Sequence, residues 1–202
     1  MKKIIIAIVI ILLVIAAFVG WQVFGPTVKA PEKKYFYVYT GSTFTAVKDS
    51  LLKNKIIPNA RWFSLVSKQL KYKTIRPGKY EIQDGMSVFK LVRMLRNGQQ
   101  TPVNFVIVKY RTKEDFAKRV GKDFETDSLQ MISFLNNEDS LKNYGLDSNT
   151  WSTAIIPNTY TFKWNSDPTI IFSKLVNESK KFWNEERKQK AAALGLTPLQ
   201  VY

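Results

Sequence analysis

Carboxylates in the last third of the chain are the side chains best suited to acid–base chemistry in this sequence. The 202 residues include no Cys and no His, which excludes Ser-His and Cys-His catalysis and Cys-ligated metal sites. Carboxylates, Lys, Tyr and main-chain groups remain as catalysts. The carboxylates concerned are Asp167, Glu178, Glu185 and Glu186.

These carboxylates do not form a catalytic pair by spacing. Two carboxyl groups that cleave a glycosidic bond face each other across a groove, roughly 5–10 Å apart. Glu185 and Glu186 are adjacent, so their side chains point about 100° apart on a helix. We predict that they and Glu178 are solvated and pair with Lys, and that Asp167 caps a helix.

The stretch IIPNTYTFKWNSD, Ile155–Asp167, combines aliphatic, aromatic and polar residues. We expect its two isoleucines to enter the core and Pro157–Thr159 to turn the chain. Tyr160–Trp164 then alternates as a strand. Asp167 followed by Pro168 is a strong start signal for the next helix.

That helix is predicted to continue to Gly195, because an apolar stripe persists at helical spacing. Glu186 and Lys190 on its polar face have the favourable i,i+4 spacing. Thr197-Pro198 begins a further helix, and the sequence reaches Tyr202 four residues later. A helix that short is not stable alone, so we expect the sequence to be cut at a helix start.

The N-terminus carries a long apolar segment. Ile4–Val19 is uninterrupted by polar residues, and Ile4–Phe24, at about 1.5 Å per residue, is long enough to cross a bilayer core of roughly 30 Å. A signal peptide is the alternative, but its apolar region is usually about 7–15 residues. Trp21 also suits a membrane interface. We therefore predict an uncleaved anchor within residues 1–28.

The orientation of this anchor follows from charge and domain size. Lys2 and Lys3 favour a cytoplasmic N-terminus, whereas Lys29, Lys33 and Lys34 oppose it. Large domains translocate largely regardless of charge. We expect a single-pass protein with a short cytoplasmic tail and its C-terminal body outside the cytoplasm.

The formal charge of +15 fits several anionic partners. The basic residues are scattered and form no basic arm, and an exported body rarely meets nucleic acid, so we expect no nucleic-acid partner. Docking on anionic lipid explains the charge and predicts binding that is lost in moderate salt.

Strand and helix patterns alternate between the anchor and the stretch described above. A tether at residues 29–34 leads to a strand from Tyr35, and helices are predicted to start at Thr43, Asn59, Ser87 and Thr112. Short strands near 79–83 and 103–108 separate them. Helices covering one face of small sheets bury these stripes, so the predicted fold class is α+β.

Two resemblances sharpen this picture. Tyr35–Leu51, with its aromatic strand, Gly-Ser-Thr turn and apolar helix, resembles the opening of a LysM glycan-binding module, predicted here over residues 35–100. The order of anchor, LysM-like unit, RPGKYEI, LRNGQQ, IIPNTYTF and LGLTP resembles the YceG-like (MltG) endolytic peptidoglycan transglycosylases. Residues 101–202 would then begin the mixed α/β catalytic domain.

The motif at 152–160 carries most of this resemblance. The family sequence is close to E-G-x-x-x-P-D-T-Y, and Pro157, Thr159 and Tyr160 match it. Ser152-Thr153 replaces the Glu-Gly, and Asn158 replaces the Asp. Lys109-Tyr110 stands where the family often has an earlier Glu-Gly.

The resemblance implies a membrane-anchored lyase of the bacterial inner membrane. It would cleave the MurNAc-GlcNAc bond of peptidoglycan with formation of 1,6-anhydroMurNAc, without metal or cofactor. Asn158, Thr159 and Tyr160 are the implied substrate-binding residues.

The family's catalytic glutamate lies on an A-S-I-x-E-x-E helix after the LTP segment, so no residue of this chain is assigned that role and the chain alone is expected to be inactive. Implied partners are glycan strands, the lipid bilayer and cell-wall synthesis proteins. The alternative is a non-catalytic envelope module that binds glycan or such partner proteins.

Overall fold

A computed structural model describes residues 2–201 of the chain. It is a mixed α+β structure, as predicted, and divides into two compact units, Met1–Thr101 (unit 1) and Pro102–Tyr202 (unit 2). The helices are α1 Lys2–Phe24, α2 Phe44–Lys53, α3 Ala60–Gln69, α4 Val88–Asn97, α5 Lys113–Asp123, α6 Ser128–Asn136, α7 Glu138–Lys142, α8 Pro168–Phe182 and α9 Glu185–Ala193. The strands are β1 Tyr35–Val38, β2 Gly78–Glu81, β3 Val103–Ile107 and β4 Asn158–Phe162.

Unit 1 places a two-stranded antiparallel sheet of β1 and β2 beside helices α2, α3 and α4. The predicted side-chain caps are confirmed at Thr43 and Asn59, whose oxygens accept from Ala46 N and Arg61 N. Leu51 and Phe63 of the predicted apolar stripes are fully buried in one core, and Phe44 and Trp62 are partly buried against it. The amphipathic patterns therefore identified most of the buried positions, but Leu65 on α3 is 50% exposed.

Helix α1 is long and apolar enough to cross a membrane. Its last turn belongs to the core of unit 1, because Val23 is buried there and the Phe24 ring lies 5.2 Å from the Phe89 ring. The chain beyond it is bonded to the same unit, with Val28 N donating to Met86 O. The predicted tether is also hydrogen-bonded to unit 1, since Lys29 N donates to Ile56 O.

Unit 2 is built around the antiparallel pair β3–β4, in which Phe105 faces Tyr160 and Ile107 faces Asn158. Alternate residues of β3 are buried, and the strand lies within the stretch predicted for it near 103–108. Helices α5, α6 and α8 cover the apolar side, and a 3-10 helix, Trp151–Ala154, precedes β4.

The prediction of one helix from Asp167 to Gly195 is wrong. The structure ends α8 at Phe182 and begins α9 at Glu185. Asn184 is the reason, because its side chain accepts a 3.0 Å hydrogen bond from Arg187 N and so caps a new helix.

The predicted turn at Pro157–Thr159 is also wrong in part. Asn158 and Thr159 already pair with β3, so β4 begins two residues earlier than expected and ends at Phe162. The isoleucine pair enters the core only at Ile155, which is buried, while Ile156 is half-buried. The turn is therefore confined to Ile156-Pro157.

Candidate functional site

The predicted binding residues lie at the start of β4, where the strand leaves the Ile156-Pro157 turn. Asn158 and Thr159 are exposed, and the Asn158 Oδ1 accepts from Thr159 N at 2.7 Å. The Tyr160 side chain is buried instead, and its phenol donates a 2.7 Å hydrogen bond to Ile156 O. The sheet thus presents Asn158 and Thr159 to solvent, while Tyr160 holds the turn that precedes them.

The two places where the sequence departs from the expected Glu-Gly motifs meet at one cavity. Lys109 and Tyr110, just after β3, line it together with Trp151, Ser152 and Ile155, and its volume is about 80 Å³. Spacing alone did not predict this contact, because Tyr110 and Ser152 are 42 positions apart. The pairing of Ile107 with Asn158 brings the end of β3 close to the chain that enters β4.

Trp151 forms an apolar side of this cavity. It is buried and its ring lies 5.9 Å from that of Phe116, which in turn contacts the Tyr110 ring at 5.4 Å. Burial raises the pKa of the Tyr110 phenol, and the Arg119 guanidinium partly opposes this. Tyr110 therefore stays protonated at neutral pH and can donate a hydrogen bond.

The 3-10 helix that carries Ser152 is fixed at both ends. Asp147 Oδ1 accepts from Asn149 N and from the N–H and hydroxyl of Thr150, and these bonds lower the pKa of the Asp147 carboxyl. At the other end, Ser179 Oγ on α8 donates to Thr153 O at 3.0 Å. The Ser152 hydroxyl is thus held on a rigid segment.

A second, apolar cavity lies on the other side of the same turn. Its volume is about 430 Å³. Ile156 and Pro157 form one side, and Phe182, Trp183 and Arg187 at the junction of α8 and α9 form another. The Ile156-Pro157 turn therefore lies next to a small cavity that carries hydroxyl groups and lines a larger apolar one.

The carboxylates considered from the sequence have structural roles. Asp167 Oδ1 caps α8 by accepting from Ile170 N at 2.7 Å. The other three form exposed ion pairs, Glu178 with Lys181, Glu185 with Lys188 and Glu186 with Lys190. Neither cavity beside the turn is lined by Asp or Glu. Within residues 2–201, no group of three or more acidic side chains is placed to hold a metal ion.

Comparison with known proteins agrees with the motif order. The sequence model of the YceG-like family matches residues 36–202. The chain belongs to the YceG-like family. This match contains unit 2 and most of unit 1, and so includes both cavities beside the turn. No curated protein matches the chain.

Among solved structures, the YceG-like chain is similar to a yceG-like protein of Listeria monocytogenes. The two share 20% sequence identity with a TM-score of 0.44, over 83% of this chain and 61% of the other. The YceG-like chain thus spans less than two thirds of the length of that protein.

Proposed function

We propose that this chain binds peptidoglycan glycan strands at the start of β4 and forms part of a membrane-anchored endolytic murein transglycosylase. Membership of the YceG-like family over residues 36–202 is the observation that carries the proposal. Helix α1 would anchor the chain in the bacterial inner membrane, with unit 2 and the part of unit 1 that follows α1 outside the cytoplasm. Cell-wall synthesis proteins would be further partners.

The surface beside the turn has the chemistry that a neutral sugar requires. Asn158 and Thr159 offer an amide and a hydroxyl at the exposed start of β4, and Tyr110 and Ser152 add two hydroxyl groups in the adjoining cavity. Such groups both donate to and accept from sugar hydroxyls. In this proposal Tyr160 acts through its bond to Ile156 O by positioning the turn.

The reaction proposed for the complete enzyme needs a single acid. A glutamic acid protonates the leaving oxygen of the MurNAc-GlcNAc bond and then, as carboxylate, accepts the proton of the 6-hydroxyl. That hydroxyl attacks the anomeric carbon, so the bond breaks with closure of a 1,6-anhydro ring. The acid requires a raised pKa. The carboxylates described above cap α8 or form ion pairs with lysines, and none of them lines either cavity beside the turn.

Binding to purified peptidoglycan tests the first part of this proposal. The chain, in micelles of a zwitterionic detergent, should co-sediment with sacculi. Asn158→Ala/Thr159→Ala should weaken binding about tenfold or more, as expected for two lost polar contacts. The matched control is Asn104→Ala/Thr161→Ala. These two residues are exposed on the same sheet, where the Thr161 hydroxyl donates to Asn104 Oδ1 at 3.3 Å. Equal losses in both variants would refute a site at Asn158 and Thr159.

Product analysis tests the second part. The motif I-x-E-x-E does not occur in residues 1–202, so the chain alone should release no 1,6-anhydroMurNAc from peptidoglycan, and a chain that adds this motif after the LTP segment should. Release by the 202-residue chain would place the acid elsewhere. Binding of glycan with no release by either chain would instead favour the second candidate, a non-catalytic glycan-binding envelope module.

A further inference from the structure

The C-terminal turns of α1 are packed against two helices of unit 1, whereas Ile4–Ile15 is exposed along its whole length. The Phe18 ring lies 6.4 Å from the Trp62 ring at the start of α3. The Phe24 ring lies 5.2 Å from the Phe89 ring at the start of α4. These two contacts fix the height of α3 and α4 along a helix that is long and apolar enough to cross a membrane.

The height of the first contact follows from helix geometry. Phe18 precedes Phe24 by six residues, which is about 9 Å along the axis of α1 at about 1.5 Å per residue. The separation of the Phe18 and Trp62 rings is smaller than this distance. Side chains on a helix also point towards its N-terminus, which places the Phe18 ring lower still. The Trp62 ring therefore lies below the level of Phe24, beside the apolar part of α1.

The position of α1 in a bilayer then sets the depth of Trp62. Ile4–Phe24 is about as long as a bilayer core of roughly 30 Å. Movement of α1 towards the side of its C-terminus would draw Lys2 and Lys3 into the hydrocarbon, which is unfavourable for charged groups. Movement in the opposite direction would lower unit 1 further. Phe24 thus lies at or below the boundary of the bilayer core, and the Trp62 ring lies below it.

The side chains at this level suit a membrane interface. Trp62 is half-buried, and Leu65, one turn later on the same helix, is exposed. The Cβ atoms of residues three apart on a helix lie about 5–6 Å from each other, so Leu65 is close to the level of Trp62. Trp21 on α1 is exposed near the same end, and tryptophan is enriched where membranes meet water. A lipid surface would cover all three side chains.

The charges of α3 and α4 are compatible with this contact. Neither helix contains Asp or Glu, so no carboxylate of theirs would lose its hydration against lipid. The exposed Arg61 precedes Trp62, and the Arg93 guanidinium lies over the Phe89 ring at 6.0 Å. Arginine can lay its apolar stem along such a surface while its charge stays in the headgroup layer.

We propose that unit 1 is seated on the bilayer surface at the C-terminal end of α1, with Trp62 and Leu65 inserted into the lipid interface and Phe89 at its edge. The proposal rests on the membrane anchor of the proposed function. The contact is apolar, so zwitterionic lipid suffices and net charge is not required. Helix α1 and the rest of unit 1 then form one membrane-bound body instead of a domain on a loose tether.

Nitroxide labels on single cysteines test this position, because the chain has no Cys of its own. The full chain is placed in phosphatidylcholine nanodiscs, and the accessibility of each label to oxygen, which concentrates in lipid, is compared with its accessibility to a water-soluble nickel chelate. Leu65→Cys is the test, Ile11→Cys reports the middle of α1, and Glu81→Cys reports an exposed position on β2. The labels at 65 and 11 should favour oxygen, and the label at 81 should favour the nickel chelate.

The three labels distinguish failure of this proposal from failure of the anchor. A label at 11 in lipid together with a label at 65 in water would overturn the interfacial position and leave the anchor intact. A label at 11 in water would refute the anchor and this inference together. Oxygen preference at 81 as well as 65 would mean that unit 1 has no preferred lipid-facing side, and would overturn the proposal. A label at 65 shielded from both reagents would indicate a protein cover, such as a second copy of the chain, and would also overturn it.

Salt separates apolar insertion from electrostatic docking. The oxygen preference at position 65 should persist in about 1 M salt, where charges are screened beyond about 3 Å. Loss of the preference in salt would indicate docking by the basic surface and would overturn insertion.

A charge variant provides the matched comparison. With the label moved to Arg61→Cys, the additional substitution Leu65→Glu should raise accessibility to the nickel chelate severalfold, because an ionised carboxylate resists transfer out of water. The control Leu129→Glu adds the same charge at an exposed position of unit 2, and it should leave the label at 61 unchanged. Equal effects of the two glutamates would overturn the assignment of this face to lipid.

Discussion

The phenol of Tyr160 donates a 2.7 Å hydrogen bond to the main-chain carbonyl of Ile156. This bond closes the turn beside the two cavities of unit 2, and the Tyr160 ring lies in the core opposite Phe105. Tyr160 thus supports the turn from within the core, and the exposed polar groups come from the two residues before it, Asn158 and Thr159.

Replacement of Tyr160 by Phe tests this role. The variant removes one buried hydrogen bond and leaves Ile156 O without its donor, so the free energy of unfolding should fall by about 1 kcal/mol. Urea unfolding followed by tryptophan fluorescence measures this change. Thr159→Val, at an exposed position of the same strand, should change stability by less than about 0.5 kcal/mol. Equal stability of Tyr160→Phe and the parent would show that the bond does not hold the turn.

The substitution Gly121→Ala tests how closely α5 approaches the start of α6. Glycine within a helix costs roughly 0.5–1 kcal/mol relative to alanine, so propensity alone predicts that Gly121→Ala stabilises. A Cβ atom at this position would lie 2.6 Å from Ser128 N and 3.2 Å from Asp127 C, both of them main-chain atoms. Displacing the start of α6 costs about 1–3 kcal/mol, which is the larger effect.

We therefore expect Gly121→Ala to lower the thermal midpoint of the chain. Gly20→Ala is the control, because Gly20 also lies within a helix and no atom lies within 4 Å of its added Cβ, so it should not lower the midpoint. A higher midpoint for Gly121→Ala would mean that helix propensity outweighs the contact.

Alkaline pH should destabilise unit 1 through its buried tyrosines. Burial raises the pKa of Tyr80 from 10.0 to about 12, and burial also raises the pKa of Tyr72. Because the folded pKa is raised, the unfolded chain loses these protons first. The contribution of these two phenols to stability is then fully present below about pH 10 and declines as the pH rises towards about 12.

The phenolate absorbance of the folded chain checks this prediction. In Tyr80→Phe the decline in stability between pH 10 and pH 12 should be shallower, although the variant also loses the 2.7 Å bond to Arg76 O. Titration of every tyrosine near its ordinary pKa, with the fold intact, would contradict the expectation.

Local signals predicted most of the elements, because their caps are local. Thr112 and Asp167 each accept the expected hydrogen bond from the third residue of the helix that follows. The break before α9 was missed because apolar spacing continues through Phe182 and Trp183. Asn184, followed by two glutamates in a first helical turn, was the available signal.

The sequence patterns did not predict contacts between segments that are distant in the chain. The cavity formed by Tyr110 and Ser152 depends on the register of β3 with β4, which periodicity does not specify. Lys71 ends α3 in the left-handed conformation, with φ of 54°, where patterns lead one to expect Gly or Asn. The motif at 157–160 lies at the turn, but the sequence patterns did not predict that the Tyr160 side chain is buried and bonded to Ile156 O.

The junction between the anchor and unit 1 gives a last prediction. Gly25 is buried, and its N–H donates to Trp21 O at 2.8 Å. A Cβ atom here would lie 2.3 Å from that same carbonyl oxygen, and no side-chain movement relieves a main-chain contact of this kind. Gly25→Ala must therefore shift the end of α1 relative to Val28, which bonds to Met86 on the other side of the junction.

The expected result is a lower thermal midpoint for unit 1 and faster trypsin cleavage at Lys29, whose N–H would lose its fixed bond to Ile56 O. Gly20→Ala is again the matched control, with the same added methyl group inside α1 and open space around it. If both variants are cleaved at the parental rate, the anchor and unit 1 are joined flexibly. Faster cleavage in Gly25→Ala alone would mean that packing at Val23 and Val28 holds unit 1 rigidly on the anchor helix.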